Sequence, residues 1–338
     1  MHPRDVLLGA QAGAVTLPVC DHYSGVEARM RKSLALQAEY LARYGACVFD
    51  VTLDCEDGAP AGGEAEHAVM VTELVMGVPT AGPLAQRVGV RVHAVGHPSF
   101  EADVATIVGQ VGGRLTYLMV PKVESVADVD AAVAAITAAG HPALPLHVLI
   151  ESPLAVHRAF DIAAHPAVES LSFGLMDFVS AHGGAIPSHG MGVDGQFSHP
   201  LVVRAKMELA SACHAHGKVP SHCVVTEFKD TEALGRAARR ASSELGYTRM
   251  WSIHPDQIQP IIQAFAPSQD EVEQAAEIIQ AAQAAEWGPI SHQGYLHDRA
   301  SYRYFWQVLE RAHQTGVHLP SDTQRFFERA TPTGDDHV

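Results

Sequence analysis

Residues 146 to 178 read LHVLIESPLAVHRAFDIAAHPAVESLSFGLMDF. LHVLI is a β-rich apolar run, Pro153 opens a helical span, and SLSFG is a second short apolar run, so the stretch predicts strand, helix, strand. Each strand ends on an acid: Glu151 closes the first and Asp177 sits just past the second, 26 positions on (177 − 151). On neighbouring parallel strands the two carboxylates come to lie side by side at the C-terminal rim, the edge where α/β sheets and barrels carry their active sites. Two hard oxygen donors on a rim, with room left for water and substrate, suit Mg²⁺, which is usually held by one or two protein carboxylates. Taken singly, either acid also reads as a helix N-cap or a loop residue.

The same strand–helix rhythm extends in both directions. Residues 14–19 (AVTLPV) read as a first strand, ending in CDHYSG before a helical pattern over 25–44. Residues 47–54 form a second strand, followed by the acidic sequence Asp54-Cys55-Glu56-Asp57-Gly58, then a helix over 63–75. Third and fourth strands fall at 88–95, carrying Arg91, and 114–120, running into Pro121-Lys122-Val123-Glu124-Ser125. The opening stretch supplies strands five and six. Residues 182–199, rich in Gly, His, Ser and Pro, predict a long irregular loop of the kind that is either functional or mobile. A helix over 200–216, a seventh strand at 218–225, a helix over 231–245 and an eighth strand at 247–253 complete eight repeats, the signature of a (β/α)8 TIM barrel. Beyond Ser268 the pattern changes to a Glu/Gln/Ala helix, a Gly288-Pro289 break and a last helix near 302–314. The expected organisation is therefore a barrel over 1–266, a C-terminal helical appendage over 267–330 and a disordered tail over 331–338.

Composition narrows the function classes. The 338 residues are 47% hydrophobic and 18% charged, which is globular, and a formal charge of −15 disfavours nucleic acid as a partner because phosphate binding needs a basic patch. No apolar run reaches the roughly 18 residues of a membrane span, and MHPRDVLLGA lacks the apolar core of a signal peptide, so the expected compartment is the cytosol. Five cysteines, Cys20, Cys47, Cys55, Cys213 and Cys223, show no C-x-x-C spacing and argue against a disulfide framework or a zinc knuckle. The 21 histidines include no H-E-x-x-H. A Cys223–His222 nucleophile is disfavoured because neighbours on a strand face opposite ways.

Seven segments in order give the chain a family resemblance: LDCEDGAP after strand two, RVHAVGHPSFEADV at strand three, LMVPKVES at strand four, LIESPLAV at strand five, LSFGLMDF at strand six, IHPDQIQPIIQAFAPSQDEV after strand eight and GYLHDRASYRYFWQVLERA in the appendage. Together they resemble the HpcH/HpaI aldolase and citrate lyase family, in its citrate lyase β-subunit-like branch that includes malyl-CoA and citramalyl-CoA lyases. The resemblance implies that Glu151 and Asp177 hold Mg²⁺, and that Arg91 faces an oxygen of a 2-oxo acid chelating the metal. It implies that backbone amides around Gly174, Leu175 and Met176 receive the other end of that acid, and that Asp298 is the acid that reaches a neighbouring subunit's site in a homo-oligomer, commonly a trimer or hexamer. Asp54, Glu56 and Lys122 read as supports, the first two fixing Arg91 and water on the metal.

The residue types suit such chemistry. Breaking a carbon–carbon bond β to a carbonyl leaves an enolate and a carbonyl, so the site must neutralise developing charge with a metal and an arginine and must then move a proton. Three segments depart from the family pattern. Leu17-Pro18-Val19-Cys20-Asp21-His22 replaces a Phe-Val-Pro-Gly-type turn, Gly63-Glu64-Ala65-Glu66-His67 stands where the lyases carry a Lys and an Arg, and Pro220-Ser221-His222-Cys223 replaces Pro-Ile-Asp-Gly. Glu64 and Glu66 repel a diphosphate, which opposes coenzyme A. The expected function is a Mg²⁺-dependent carbon–carbon lyase acting on a 2-oxo acid with an acyl-CoA thioester as co-substrate. The alternatives are a pyruvate-type aldolase that dispenses with CoA and Asp298, and a non-catalytic ligand-binding barrel in a larger complex.

Overall fold

The computed structural model describes residues 2–9, 16–82 and 85–327. Eight strands close into a barrel in sequence order: β1 (Cys20–Ser24), β2 (Phe49–Asp54), β3 (Val88–Arg91), β4 (Tyr117–Val120), β5 (Leu146–Ile150), β6 (Val168–Phe173), β7 (Val219–His222) and β8 (Arg249–Ser252). All neighbours are parallel and β8 returns to β1, with helices between strands, so the chain forms the expected (β/α)8 barrel. Val51, Leu53, Val90, Leu118, Val148 and Leu171 belong to the large core shared with the surrounding helices, while Tyr117, Met119, Leu149 and Trp251 form a separate cluster. Alternation along the strands accounts for both: one set faces the helices, the other the barrel interior.

The first strand lies later than the sequence predicts. Residues 16–19 carry no strand, residues 14 and 15 lie outside the described residues, and β1 is the CDHYS segment expected as the connection after it. The reason is the polarity of the interior, which makes Asp21 and Tyr23 strand residues although they do not look like a hydrophobic run. Thr52 on β2 donates to Asp21 Oδ1 at 2.7 Å and pairs with the Tyr117 hydroxyl on β4 at 2.6 Å, a contact that skips β3 and must cross the interior. Gly89 on β3 makes this possible, because a Cβ there would lie 2.1 Å from the Tyr117 ring. Arg249 on β8, which reaches no solvent, pairs with Asp50 Oδ2 at 2.7 Å and Asp21 Oδ2 at 3.2 Å. The His147 ring stacks on Tyr117 with centroids 3.7 Å apart.

Other boundaries differ locally. The helical span after Pro153 is two short helices, Pro153–His157 and Ala159–Ala164, and 182–199 is irregular apart from two 3-10 turns, Ser188–Met191 and Gly195–Phe197.

Contacts divide the chain into Val15–Phe265 and a second unit of Met1–Ala14 with Ala266–Val338. In the second unit helices Gln269–Ala284 and Arg299–Thr315 bury Ile278, Ile279, Tyr302, Trp306 and Leu309 between them. Here the sequence reading needs correction: the N-terminal helix Pro3–Leu8, counted with the barrel over 1–266, packs instead on this unit. Leu7 joins its core, His2 Nε2 lies 3.0 Å from the Phe326 carbonyl and Arg4 pairs with Glu310 at 3.1 Å. A hairpin of β9 (Ile290–His292) and β10 (Tyr295–His297) precedes the last long helix. The tail over 331–338 lies outside the described residues. Among the described residues no helix is long and apolar enough to cross a membrane.

Two stability outcomes follow. Gly89→Ala forces a methyl into the Tyr117 ring and is expected to cost about 1–3 kcal/mol in urea denaturation, the usual range for overpacking. Burial, then the nearby His254, push the His22 pKa down to about 4. The folded value lies below the unfolded one, so only the unfolded chain takes up this proton between about pH 6.5 and 4, and stability falls as pH falls through that window. The maximum effect is about 3 kcal/mol. His22→Gln should narrow the difference in denaturation midpoint between pH 7 and pH 4.5.

Candidate active site

The C-terminal ends of β2 to β6 bring the candidate residues together. Arg91 ends β3 and its guanidinium is almost fully shared out. Nε donates to Asp54 Oδ1 at 2.6 Å, Nη1 pairs with Glu56 Oε2 at 2.9 Å, and Nη2 donates to Asp57 Oδ2 at 3.0 Å and to the Tyr23 hydroxyl at 2.8 Å. Tyr23 in turn donates to Asp54 Oδ2, and its ring lies 4.9 Å from the Arg91 guanidinium carbon. Burial opposes the charge on Arg91, but Asp54 above all outweighs it and holds the pKa well above that of free arginine. Asp54 also accepts the amides of Glu56 at 3.1 Å and Gly58 at 2.6 Å, folding the acidic loop back over the end of β2.

Glu151 follows β5 and is buried. Its Oε1 accepts the Lys122 amide at 2.6 Å, a contact made from a left-handed Lys122 backbone with φ 53°. Lys122 Nζ pairs with Glu56 Oε1 at 2.5 Å, so Glu56 bridges Lys122 and Arg91. Burial and then the negative charge of Asp177 raise the Glu151 pKa above the ordinary carboxylate range; the Lys122 amide works in the opposite direction. Asp177 stands in the first turn of the helix Leu175–Ser180 and is exposed. Neither Glu151 Oε2 nor the Asp177 carboxylate has a hydrogen-bond or ion-pair partner among the described residues.

This donor set fits Mg²⁺. Two carboxylates face one another electrostatically without a bonded counter-charge, one held by an amide with its second oxygen unengaged. No group of three or more His, Cys, Asp or Glu arranged for a metal occurs among the described residues, so water and substrate would supply the remaining ligands.

Gly174 takes a different part from the one expected. Its amide donates to the Ile150 carbonyl at 3.0 Å and is therefore occupied, leaving Leu175 and Met176 as the amides at the helix start without partners among the described residues. What Gly174 provides is space: a Cβ there would lie 2.5 Å from Glu151 Oε2. Asp298, in the second unit, is exposed and caps the helix Arg299–Thr315, accepting the Ala300 amide at 2.9 Å in a capping box with Ser301.

Tyr23 and Asp57 were not among the sequence candidates. Tyr23 was hidden by the misplaced first strand, and Asp57 belongs to the acidic motif without any signal to separate it from Glu56. Beside Arg91 lies a cleft of about 320 Å³ bordered by Glu56, Asp57, Glu64, His93, His97 and Lys122. Cys223 Sγ lies 3.8 Å from His222 Nδ1, closer than strand alternation implies because β7 ends at His222. Both groups are buried, and burial raises the thiol pKa and lowers that of the imidazole, so this is no activated thiolate.

Residues 35–255 match the model of the HpcH/HpaI aldolase/citrate lyase family. The chain is 31% identical over 280 residues to the L-malyl-CoA/beta-methylmalyl-CoA lyase of Cereibacter sphaeroides, covering 78% of this chain and 86% of that protein. A crystal structure of a citrate lyase from Burkholderia xenovorans LB400 superposes with a TM-score of 0.80 at 48% identity, covering 97% of this chain and all of that one. The CitE protein of Mycobacterium tuberculosis, in complex with magnesium, acetoacetate and coenzyme A, shares the fold with a TM-score of 0.64 at 22% identity over 88% of this chain and 98% of that one. The chain belongs to the HpcH/HpaI aldolase/citrate lyase family.

Proposed function

We propose that this carbon–carbon lyase requires Mg²⁺ and makes or breaks the bond between the carbonyl carbon of a 2-oxo acid and the α-carbon of an acyl-CoA thioester. The observation that carries the reading is the pair Glu151 and Asp177, two carboxylates without a bonded counter-charge beside the buried guanidinium of Arg91. Mg²⁺, when bound, supplies Lewis-acid polarisation of the oxo acid and a template for it. Glu151 and Asp177 hold the metal, with Gly174 leaving room for the Glu151 carboxylate. Arg91 offers paired donors to the oxygen on which charge develops, and Asp54 and Glu56, bonded to Nε and Nη1, fix the orientation of that planar group. The amides of Leu175 and Met176 receive the carboxylate of the acid.

Asp298 moves the proton at the thioester α-carbon. Its exposure, next to Tyr295 and Leu296 at 73% and 78% exposed, favours use against a neighbouring copy in a homo-oligomer, trimer or hexamer. The relatives named above support the thioester, one as a malyl-CoA lyase and one crystallised with coenzyme A. A second reading, an aldolase taking free pyruvate and an aldehyde, is favoured by one observation: Glu56, Asp57 and Glu64 make the lining of the cleft acidic and unsuited to a diphosphate.

Calorimetric titration of the metal-stripped protein with Mg²⁺ and a panel of 2-oxo acids, with and without acetyl-CoA or propionyl-CoA, separates the readings. Oxo-acid binding that needs Mg²⁺ and strengthens with a thioester supports the lyase; no response to any thioester supports the aldolase. Glu151→Gln is expected to weaken Mg²⁺-dependent oxo-acid binding at least tenfold, and Gly174→Ala to weaken it by displacing the same carboxylate; full binding by Glu151→Gln would overturn the metal assignment. Asp298→Asn retains a helix cap while removing the acid, so its turnover of a thioester substrate should fall about a hundredfold or more at unchanged melting temperature. An unaltered rate would remove Asp298 from the chemistry.

A further inference from the structure

We infer that His93 is a catalytic residue, positioned by Asp103, that takes the proton of the substrate hydroxyl during bond cleavage and returns it during condensation. This rests on the lyase reading above, which gives the α-carbon proton to Asp298 and leaves the hydroxyl proton without an acceptor. In cleavage the hydroxyl O–H bond breaks toward the base, the oxygen lone pair forms the new carbonyl, and the carbon–carbon pair leaves onto the thioester as an enolate. Protonation of that enolate at carbon completes the balance.

His93 lies two residues beyond Arg91 on the chain, at the mouth of β3. Its Nδ1 is 2.6 Å from Asp103 Oδ2, and the same oxygen accepts the His93 amide at 3.1 Å. Asp103, in the first turn of the helix Phe100–Val111, is 1% exposed, so the ring is fixed from behind by a carboxylate with little access to water. His97 stacks on the His93 ring with centroids 4.3 Å apart and planes 12° apart, fixing its tilt as well. With Nδ1 occupied, Nε2 has no hydrogen-bond partner among the described residues, and the ring borders the cleft beside Arg91. A carboxylate on one imidazole nitrogen sets the tautomer and leaves the other nitrogen as the base, the arrangement used wherever a His must accept a hydroxyl proton. A pair that merely tied β3 to its helix would have no need of a free nitrogen on the cleft.

The groups facing His93 are Asp103 and His97, Glu64 from the helix Glu64–Met76, Glu56 and Asp57 from the loop after β2, and Lys122 from the end of β4.

The test uses the full-length Mg²⁺-loaded protein with malyl-CoA and citramalyl-CoA as probes. His93→Asn is expected to lower kcat/KM for cleavage about a hundredfold or more and to remove the acid limb of its pH profile, while Mg²⁺-dependent glyoxylate binding stays within threefold. Exchange of the acetyl-CoA methyl protons into deuterated water in the presence of an unreactive oxo-acid analogue, which needs no hydroxyl proton, should persist. Asp103→Asn should lower kcat/KM about tenfold or more and shift that limb to lower pH. Retention of rate and acid limb in His93→Asn overturns the assignment, as does loss of exchange in parallel with cleavage. No turnover of either probe by the wild-type protein would instead overturn the lyase reading and, with it, this role.

Discussion

A guanidinium that reaches no solvent joins the last barrel strand to the first two. Arg249 on β8 pairs with Asp50 on β2 and Asp21 on β1, and it also donates to the Pro18 carbonyl at 2.8 Å. Asp50 is further paired with Arg87 at 2.6 Å, and Asp21 accepts from Thr52 and from Trp251 at 3.1 Å. Removing one member leaves an uncompensated charge shielded from solvent, which typically costs 3–5 kcal/mol. The seam of the barrel therefore depends on charges, and the positions of β2 and β3, whose ends carry Asp54 and Arg91, are inherited from it.

The same economy of charge operates at the rim. Glu56 serves Arg91 and Lys122 together, and the Lys122 amide serves Glu151, so a single connected chain of polar contacts runs from the end of β2 to the end of β5. Burial works against the Lys122 ammonium, but Glu56, Glu151 and Asp177 outweigh it and hold its pKa above that of free lysine. Lys122 thereby faces the two carboxylates without bonding its side chain to either, which keeps their remaining oxygens clear.

What could be read from the residues follows from which forces leave a local mark. The run from Leu146 to Phe178 was legible because β5 and β6 are apolar on the helix-facing side and each ends on its acid within one residue or a turn. β1 was not, since a polar barrel interior puts Asp21 and Tyr23 where hydrophobicity expects a loop, and the apolar neighbours at 14–19 made the better run. The hairpin β9–β10 has strands of three residues, too short for any period, and its turn is formed by Gln293 and Gly294 with φ of 51° and 85°. Glu151 and Asp177 announced themselves by standing at or just past strand ends, whereas Arg91, read inside a strand over 88–95, was singled out only by the family resemblance of its segment. The contact between His93 and Asp103 had no such signal, because ten residues spanning a strand end, a loop and a helical turn define no recurrent spacing.

Asp57, whose side chain is 70% exposed, is the one partner of Arg91 that stands in solvent, while Asp54 and Glu56 are locked beneath it. An anion arriving at Arg91 consequently meets no vacant cation. Under the role proposed for Arg91, the oxygen on which charge develops takes the place of the Asp57 carboxylate at constant donor count, so the guanidinium keeps a negative partner throughout. Affinity at this point is then a difference between that oxygen and the Asp57 carboxylate, and discrimination falls to the shape and second functional group of the incoming acid.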